Sequence, residues 1–253
     1  MTKQGIVAAL AALGVAVAVF SAAANAAEIK VISTGSFKAA FAELAPAFER
    51  SSGHKATAIW AGTDEIISRL GAGETLDIVI APAPWIDDMI KRGLLVAGSR
   101  VDVAKSGIGA AVHAGAPRID IGSADALKSA LLGAKSIVLS TGVSGIYLAK
   151  LFAKWGVSER LEPKIKRLPG SGPVADAMAR GEAEIGFLQV SEWLGVAGVE
   201  PLGPLPADIQ EITAISAGLN KAAGAPDAAS ALVKFLASPE AAPAKRKTGL
   251  EPG

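Results

Sequence analysis

Short apolar segments alternate with amphipathic segments along most of the chain. Residues 29–33 form an apolar run that predicts a strand, and residues 37–51 carry apolar side chains at helical spacing. The same reading predicts further strands at 56–60, 77–81, 108–113, 136–140, 164–168, 185–189 and 212–217. It predicts further helices at 63–72, 85–92, 124–132, 145–155, 174–180, 226–237 and 239–247. Alternating strands and helices are typical of βαβ units, so the pattern predicts an α/β fold with mixed or parallel sheets flanked by helices.

The order of these segments also predicts two lobes. Three prolines, Pro201, Pro204 and Pro206, indicate a loop, because proline supports neither a helix interior nor an inner strand. The simplest arrangement has one lobe from residues 27–107 and 214–253, with a second lobe, 108–213, inserted in it. The chain then crosses between the lobes twice, as in a double hinge, and a cleft separates them.

The first 26 residues have the features of a secretory signal peptide. Lys3 supplies a positive start, residues 6–20 form an apolar run, and Ala24-Asn25-Ala26 is a small-residue cleavage site. The alternative is an N-terminal membrane anchor, but the apolar run is short for a membrane span. We expect cleavage before Ala27 and a periplasmic protein, held together without disulfides because the chain has no cysteine.

Composition excludes several classes of function. The chain has 25 Lys and Arg against 24 Asp and Glu, which argues against a nucleic-acid-binding surface. The two histidines, His54 and His113, lie far apart in sequence without neighbouring metal-ligating residues, so we expect no metal site. No phosphate-binding loop and no Ser-His-Asp or Cys-His set is present in the sequence. We therefore expect no cofactor, no catalytic residues and a monomer that binds a small molecule.

Four joins between strands and helices carry the chemistry of an anion site. Each combines glycine with a hydroxyl side chain: residues 33–36 (STGS), 61–63 (AGT), 140–145 (STGVSG) and 169–174 (PGSGPV). In open α/β sheets ligands bind at the carboxyl ends of strands, where helix N-termini present free N–H groups. Each join alone is also explained as a helix cap, but four together favour an anion-binding cleft.

Around these joins the sequence resembles the molybdate-binding family of periplasmic solute-binding proteins. The resemblance is strongest at residues 31–41, 76–94, 143–156 and 232–252, and it extends over essentially the whole chain after the signal. It implies the two-lobed type II binding-protein fold, and an ABC permease in the membrane that receives the ligand. The implied ligand is molybdate or tungstate.

The resemblance also implies ligand-binding residues. Ser36 and Thr63, with the neighbouring Gly35 and Gly62, correspond to two hydroxyl-bearing loops of the first lobe. The backbone amides of the second lobe fall at two further positions, Ser144 and Val174.

Two positions depart from the family pattern. Gln189 stands where the family has a ligand-binding tyrosine. The segment 61–64 (AGTD) replaces a run of serines. Because of these departures, an organic carboxylate is an alternative ligand. A periplasmic isomerase of organic acids such as aconitate is an alternative function.

Other polar and aromatic residues have more than one interpretation. Tyr147 either lines the cleft or packs in the core. Lys38 and Arg69 either contact a carboxylate ligand or lie on the solvated faces of their helices. Among the tryptophans, the sequence predicts Trp60 beside the cleft and three in the core: Trp85, Trp155 and Trp193.

Overall fold

The computed structural model describes residues 26–253, so the predicted signal peptide lies almost entirely outside the described residues. The strands are β1 Glu28–Ser33, β2 Lys55–Trp60, β3 Ile78–Pro82, β4 Val101–His113, β5 Ile137–Ser140, β6 Ile165–Leu168, β7 Ile185–Gln189, β8 Val199–Pro204, β9 Ile212–Leu219 and β10 Glu251–Pro252. The α-helices are α1 Lys38–Ser52, α2 Thr63–Gly71, α3 Ala83–Lys91, α4 Ala124–Gly133, α5 Val143–Lys154, α6 Ser158–Leu161, α7 Ser171–Ala179, α8 Val190–Trp193, α9 Pro226–Ala237 and α10 Ala242–Lys247. None of the helices within 26–253 combines the length and the apolar character that a membrane crossing requires.

The strands form one mixed sheet, in the order β2-β1-β3-β9-β4-β7-β5-β6. Strands β2, β1 and β3 run parallel to one another, as do β7, β5 and β6. The pairs β3–β9, β9–β4 and β4–β7 in the middle are antiparallel. The predicted α/β class with mixed sheets is therefore confirmed, with parallel pairing at the two ends of the sheet and antiparallel pairing in its centre.

The long strand β4 joins the two ends of the sheet. Its first part, up to Gly107, pairs with β9, whereas the part from Ile108 to Ala111 pairs with β7. The strand thus changes its inner partner at Gly107 and Ile108. The division into two lobes at 107–108 and 213–214 stays a prediction.

Apolar side chains cover both faces of the sheet. In β1, Ile29 and Val31 pack into one buried cluster, whereas Ile32 packs into a second cluster on the opposite face. Strands β5 and β7 are divided in the same way between two further clusters. Burial on both faces explains why these strands read as near-continuous apolar runs in the sequence.

Two predicted elements differ from the structure. The strand predicted at 108–113 is the second half of β4, which starts at Val101. The loop predicted around the prolines is wrong in part, because Val199–Pro204 forms β8, which pairs with the outer side of β4 across a register shift. Proline is tolerated there because an edge strand leaves N–H positions without a ladder partner.

Asp77 anchors the start of β3 to two other parts of the chain. Its carboxylate is 3% exposed, and accepts hydrogen bonds from the backbone N–H of Lys30 at 2.7 Å and of Ala225 at 3.0 Å. Asp77→Ala leaves both N–H groups without their acceptor, which we expect to lower the free energy of unfolding by about 3 kcal/mol. Urea denaturation measures this loss. Asp77→Asn keeps one oxygen acceptor and should lose less, and equal losses in both variants would contradict this account.

Candidate functional site

The four strand-to-helix joins meet at one pocket with a volume of about 630 Å³. The first two joins follow β1 and β2, and the other two follow β5 and β6. The lining residues from the joins are Thr34, Gly35, Ser36, Ala61, Gly62, Thr63, Ser140, Thr141, Gly142, Val143, Ser144, Pro169, Gly170, Ser171, Gly172 and Pro173. The volume lies in the range of small-molecule sites.

Three of the helices that start at the pocket have no side-chain cap. Glycine is the N-cap residue of α2, α5 and α7 (Gly62, Gly142 and Gly170), and no N-cap side chain accepts a hydrogen bond there. Helix α4, which starts away from the pocket, is capped instead by Ser123, whose hydroxyl accepts from the N–H of Ala126. The first-turn N–H groups at the pocket therefore remain available to an anion.

Paired hydroxyl groups lie beside these helix starts. Thr34 Oγ1 and Ser36 Oγ are 3.0 Å apart, and Ser140 Oγ and Ser144 Oγ are 3.1 Å apart. Ser36 is 4% exposed and Ser144 is 3% exposed. A hydroxyl that shares a hydrogen bond with its neighbour is held in place and keeps further donor or acceptor capacity. The pairs add oriented polar groups to the N–H donors of the helices.

Glycines let the two sides of the pocket approach each other closely. A Cβ at Gly35 would overlap Oγ of Ser171 and lie 3.3 Å from its Cβ. A Cβ at Gly62 would lie 3.7 Å from Cα of Gly170. The joins after β1 and β2 thus face the join after β6 with little more than backbone between them.

The structure brings most of the predicted ligand residues together. Six of them line the pocket: Gly35, Ser36, Gly62, Thr63, Ser144 and Gln189. Val174 and Tyr147 are not among its lining residues. The Val174 side chain is fully buried in a core cluster, so only its backbone amide at the start of α7 stays a candidate. The Tyr147 hydroxyl instead donates to the carbonyl of Ile209 at 2.8 Å.

The amide of Gln189 is used by the two strands in the middle of the sheet. The neighbouring hydrogen-bond partners identify the side-chain nitrogen, which donates to the carbonyls of Ser106 at 3.0 Å and Gly107 at 3.1 Å. Its oxygen accepts from the hydroxyl of Thr213 at 3.2 Å. Gln189 therefore lines the pocket while its amide is engaged by β4 and β9, and its role as a ligand residue stays a prediction.

Glu192 is a pocket residue that the sequence analysis missed. It lies in the single turn of α8, and its Oε2 accepts from the backbone N–H of Gln189 at 3.0 Å. Burial raises the pKa of the Glu192 carboxyl to about 7, although hydrogen bonds from the Gln189 backbone and the Ser171 side chain act in the opposite direction. Glu192 thus caps α8 from its third position, but glutamine at the N-cap is not the usual sequence signal for such a cap.

Aromatic and charged side chains complete the wall. Trp60 lines the pocket as predicted, and so does Trp85, which the sequence placed in the core. Trp85 lies in the first turn of α3, where it packs against the neighbouring core and lines the pocket. Lys38 also lines the pocket, whereas Arg69 pairs with Glu65 on α2 and with Glu74 beyond the end of that helix.

Comparisons with known proteins identify a family and two relatives that are named for different functions. The model of the family described as bacterial extracellular solute-binding protein matches residues 29–251. An aconitate isomerase from a Pseudomonas species is 35% identical over 230 residues, covering 88% of this chain and 87% of the relative. The molybdate-binding protein ModA of Azotobacter vinelandii is 28% identical over 228 residues, covering 87% of this chain and 88% of the relative.

The fold is shared with a solved structure. The Azotobacter vinelandii periplasmic molybdate-binding protein superposes with a TM-score of 0.75 at 18% identity, covering 88% of this chain and 98% of that one. This likeness confirms the predicted type II binding-protein fold.

Proposed function

Because this chain belongs to the family of bacterial extracellular solute-binding proteins, we propose that it captures a small organic carboxylate in the pocket between its strand-to-helix joins. The periplasm is the proposed compartment, and a membrane permease of the ABC type is the proposed recipient of the ligand. The protein acts in this proposal as a monomer without a cofactor.

The convergence of uncapped helix starts is the observation that carries the proposal. Helices α2, α5 and α7 all begin at the pocket with glycine N-caps, next to the hydroxyls of Ser36 and Ser144. A hydrogen bond to a charged group is worth about 1.5–3 kcal/mol, so several such donors support micromolar or tighter binding of an anion.

The rest of the wall favours an organic acid over a tetrahedral oxyanion. Trp60, Trp85 and Ile146 give the pocket an apolar side that a hydrocarbon skeleton covers and an inorganic anion does not. Lys38 supplies a cation for a further carboxylate. Molybdate and tungstate remain the competing ligands, in keeping with the relative that is named for molybdate.

A thermal-shift screen tests the ligand class. Di- and tricarboxylates, including both aconitate isomers, are compared with molybdate, tungstate and sulfate. A ligand held at 100 times its Kd stabilises the protein by about 2.7 kcal/mol. We expect this stabilisation from a carboxylate. A shift with molybdate and tungstate alone would replace the organic acid with an inorganic oxyanion.

Ser36→Ala locates the site of the ligand found by that screen. Ser36 is a buried hydroxyl on the pocket wall, and loss of one hydrogen bond to a charged ligand should weaken binding about tenfold. Isothermal titration calorimetry measures the change. Ser51→Ala removes a serine hydroxyl outside the pocket and should leave the affinity as it is. Equal affinity of both variants would move the site elsewhere.

A second candidate function is the isomerisation of the captured acid. The 35% identical relative is named aconitate isomerase, and it covers almost the same length of chain as the molybdate-binding relative does. In this alternative the pocket binds aconitate and converts one geometric isomer into the other. Such a reaction needs a group that moves a proton, and Glu192 is one of the ionisable side chains on the pocket wall.

A further inference from the structure

Glu192 is an unexpected residue in a site built from donors for anions. It is partly buried and lines the same pocket as the four joins. The other acids on the wall, Asp64 and Glu65, are exposed, and Glu65 pairs with Arg69 at 3.3 Å. A partly buried carboxylate beside an anionic ligand weakens binding unless it takes up a proton.

We propose that Glu192 is the proton-transfer residue of an allylic isomerisation of the bound acid. The proposal rests on the capture of a carboxylate in this pocket and assigns the chemistry of the second candidate function to one side chain.

The two carboxylate oxygens of Glu192 have different surroundings. Oε2 is tethered by the N–H of Gln189 at 3.0 Å. Oε1 faces the join after β1, where it lies 3.2 Å from the position of a Cβ at Gly35. Ser171 reaches the same point from the opposite side of the pocket and hydrogen bonds to the carboxylate. One oxygen therefore fixes the side chain, while the carboxylate as a whole lies where the joins after β1 and β6 approach each other.

The reaction needs only this group and the donors around it. In an unsaturated tricarboxylate, Glu192 removes a proton from the methylene carbon, and the C–H electron pair becomes a new double bond to the central carbon. The electron pair of the old double bond then takes the proton from Glu192 at the former vinyl carbon. Atoms and electrons balance without a cofactor. Negative charge that develops on the substrate carboxylates is stabilised by the helix N–H groups.

The protonation behaviour of Glu192 suits this role. Burial raises the pKa of its carboxyl to about 7, and a base works best when its pKa is near the working pH. The charged groups on the same pocket wall are Lys38, Asp64 and Glu65. Since the ionised form accepts the proton, the isomerisation rate should rise with pH and level off above about 7.

Proton NMR in deuterated water tests the proposal, with trans-aconitate and cis-aconitate as probes. Calorimetry first measures binding of each probe to wild type and to Glu192→Gln. Glutamine keeps an oxygen acceptor for the Gln189 N–H, so the variant should fold and bind within a few-fold of wild type. The wild type should interconvert the isomers and exchange methylene protons with the solvent. In Glu192→Gln, the rates of isomerisation and of exchange should both be at least about 100-fold lower. Glu159→Gln, an exposed acid on α6, should keep both.

The possible outcomes distinguish the role of Glu192 from the capture of a carboxylate. Binding of aconitate by wild type without exchange or isomerisation overturns the role of Glu192 and leaves carboxylate capture intact. The same holds if Glu192→Gln keeps the wild-type rate. Absence of carboxylate binding by wild type overturns both. If Glu192→Gln does not fold, a wild-type rate that is independent of pH between 5 and 9 contradicts the assignment by itself.

Discussion

Alanine at Gly145 is expected to cost the protein a large part of its stability. Gly145 lies in the first turn of α5, directly against the end of β5. A Cβ there would overlap the carbonyl oxygen of Ser140 and lie 3.0 Å from its carbonyl carbon. These are backbone atoms of a strand that is paired on both sides, with β6 and β7, so they have little room to move. Overpacking of this kind costs about 3 kcal/mol, the upper end of the usual range, or more.

Denaturation in urea measures the effect against a matched substitution. Gly133→Ala places the same methyl group at the end of α4, where a Cβ meets nothing within 4 Å. That variant should be as stable as wild type, or slightly more stable because alanine favours a helix. Equal midpoints for the two variants would mean that α5 can shift away from β5 at no cost.

Alanine at Gly35 is expected to weaken ligand binding at least tenfold while the protein stays folded. The added Cβ would overlap Oγ of Ser171 and lie 3.2 Å from Oε1 of Glu192. These atoms belong to the other side of the pocket, so the methyl group holds the two sides apart. This separation removes contacts with the ligand, and a loss of only about 1.4 kcal/mol of binding free energy lowers the affinity tenfold.

A second substitution on the opposite wall tests that explanation. Ser171→Gly removes both Ser171 atoms in the way, Oγ and Cβ, so Gly35→Ala should cost less in that background. Calorimetry with the carboxylate identified by the screen gives the four affinities. Gly71→Ala, at the end of α2 with nothing within 4 Å of its Cβ, serves as the neutral control. Additive losses would show that Gly35 and Ser171 act independently.

The joins were predictable because each is a local sequence feature. A strand of β-branched residues followed by glycine, a hydroxyl and a helix is visible at residues 29–36 and again at 136–145. Their convergence follows from a general property of α/β sheets, which place ligands at the carboxyl ends of strands. The choice of Ser36, Thr63 and Ser144 as ligand residues needed the family resemblance as well, and it stays a prediction.

Features that depend on tertiary packing were not predictable in the same way. Glu192 belongs to a helix of one turn, too short for a periodic signal, and its burial comes from packing against residues distant in sequence. The partners of Gln189 lie on β4 and β9, which no local pattern connects to β7. The apolar helix face of Trp85 predicts a core position, whereas the first turn of α3 lies between the core and the pocket.

The positions of the tryptophans make their intrinsic fluorescence a probe of the pocket. Trp60 and Trp85 stand on the pocket wall, whereas Trp155 and Trp193 pack into core clusters. An acid that enters the pocket displaces water from two indole rings and leaves the other two in unchanged surroundings. We therefore expect the intrinsic fluorescence of the native chain to follow occupancy without an attached dye, above a background from the core tryptophans.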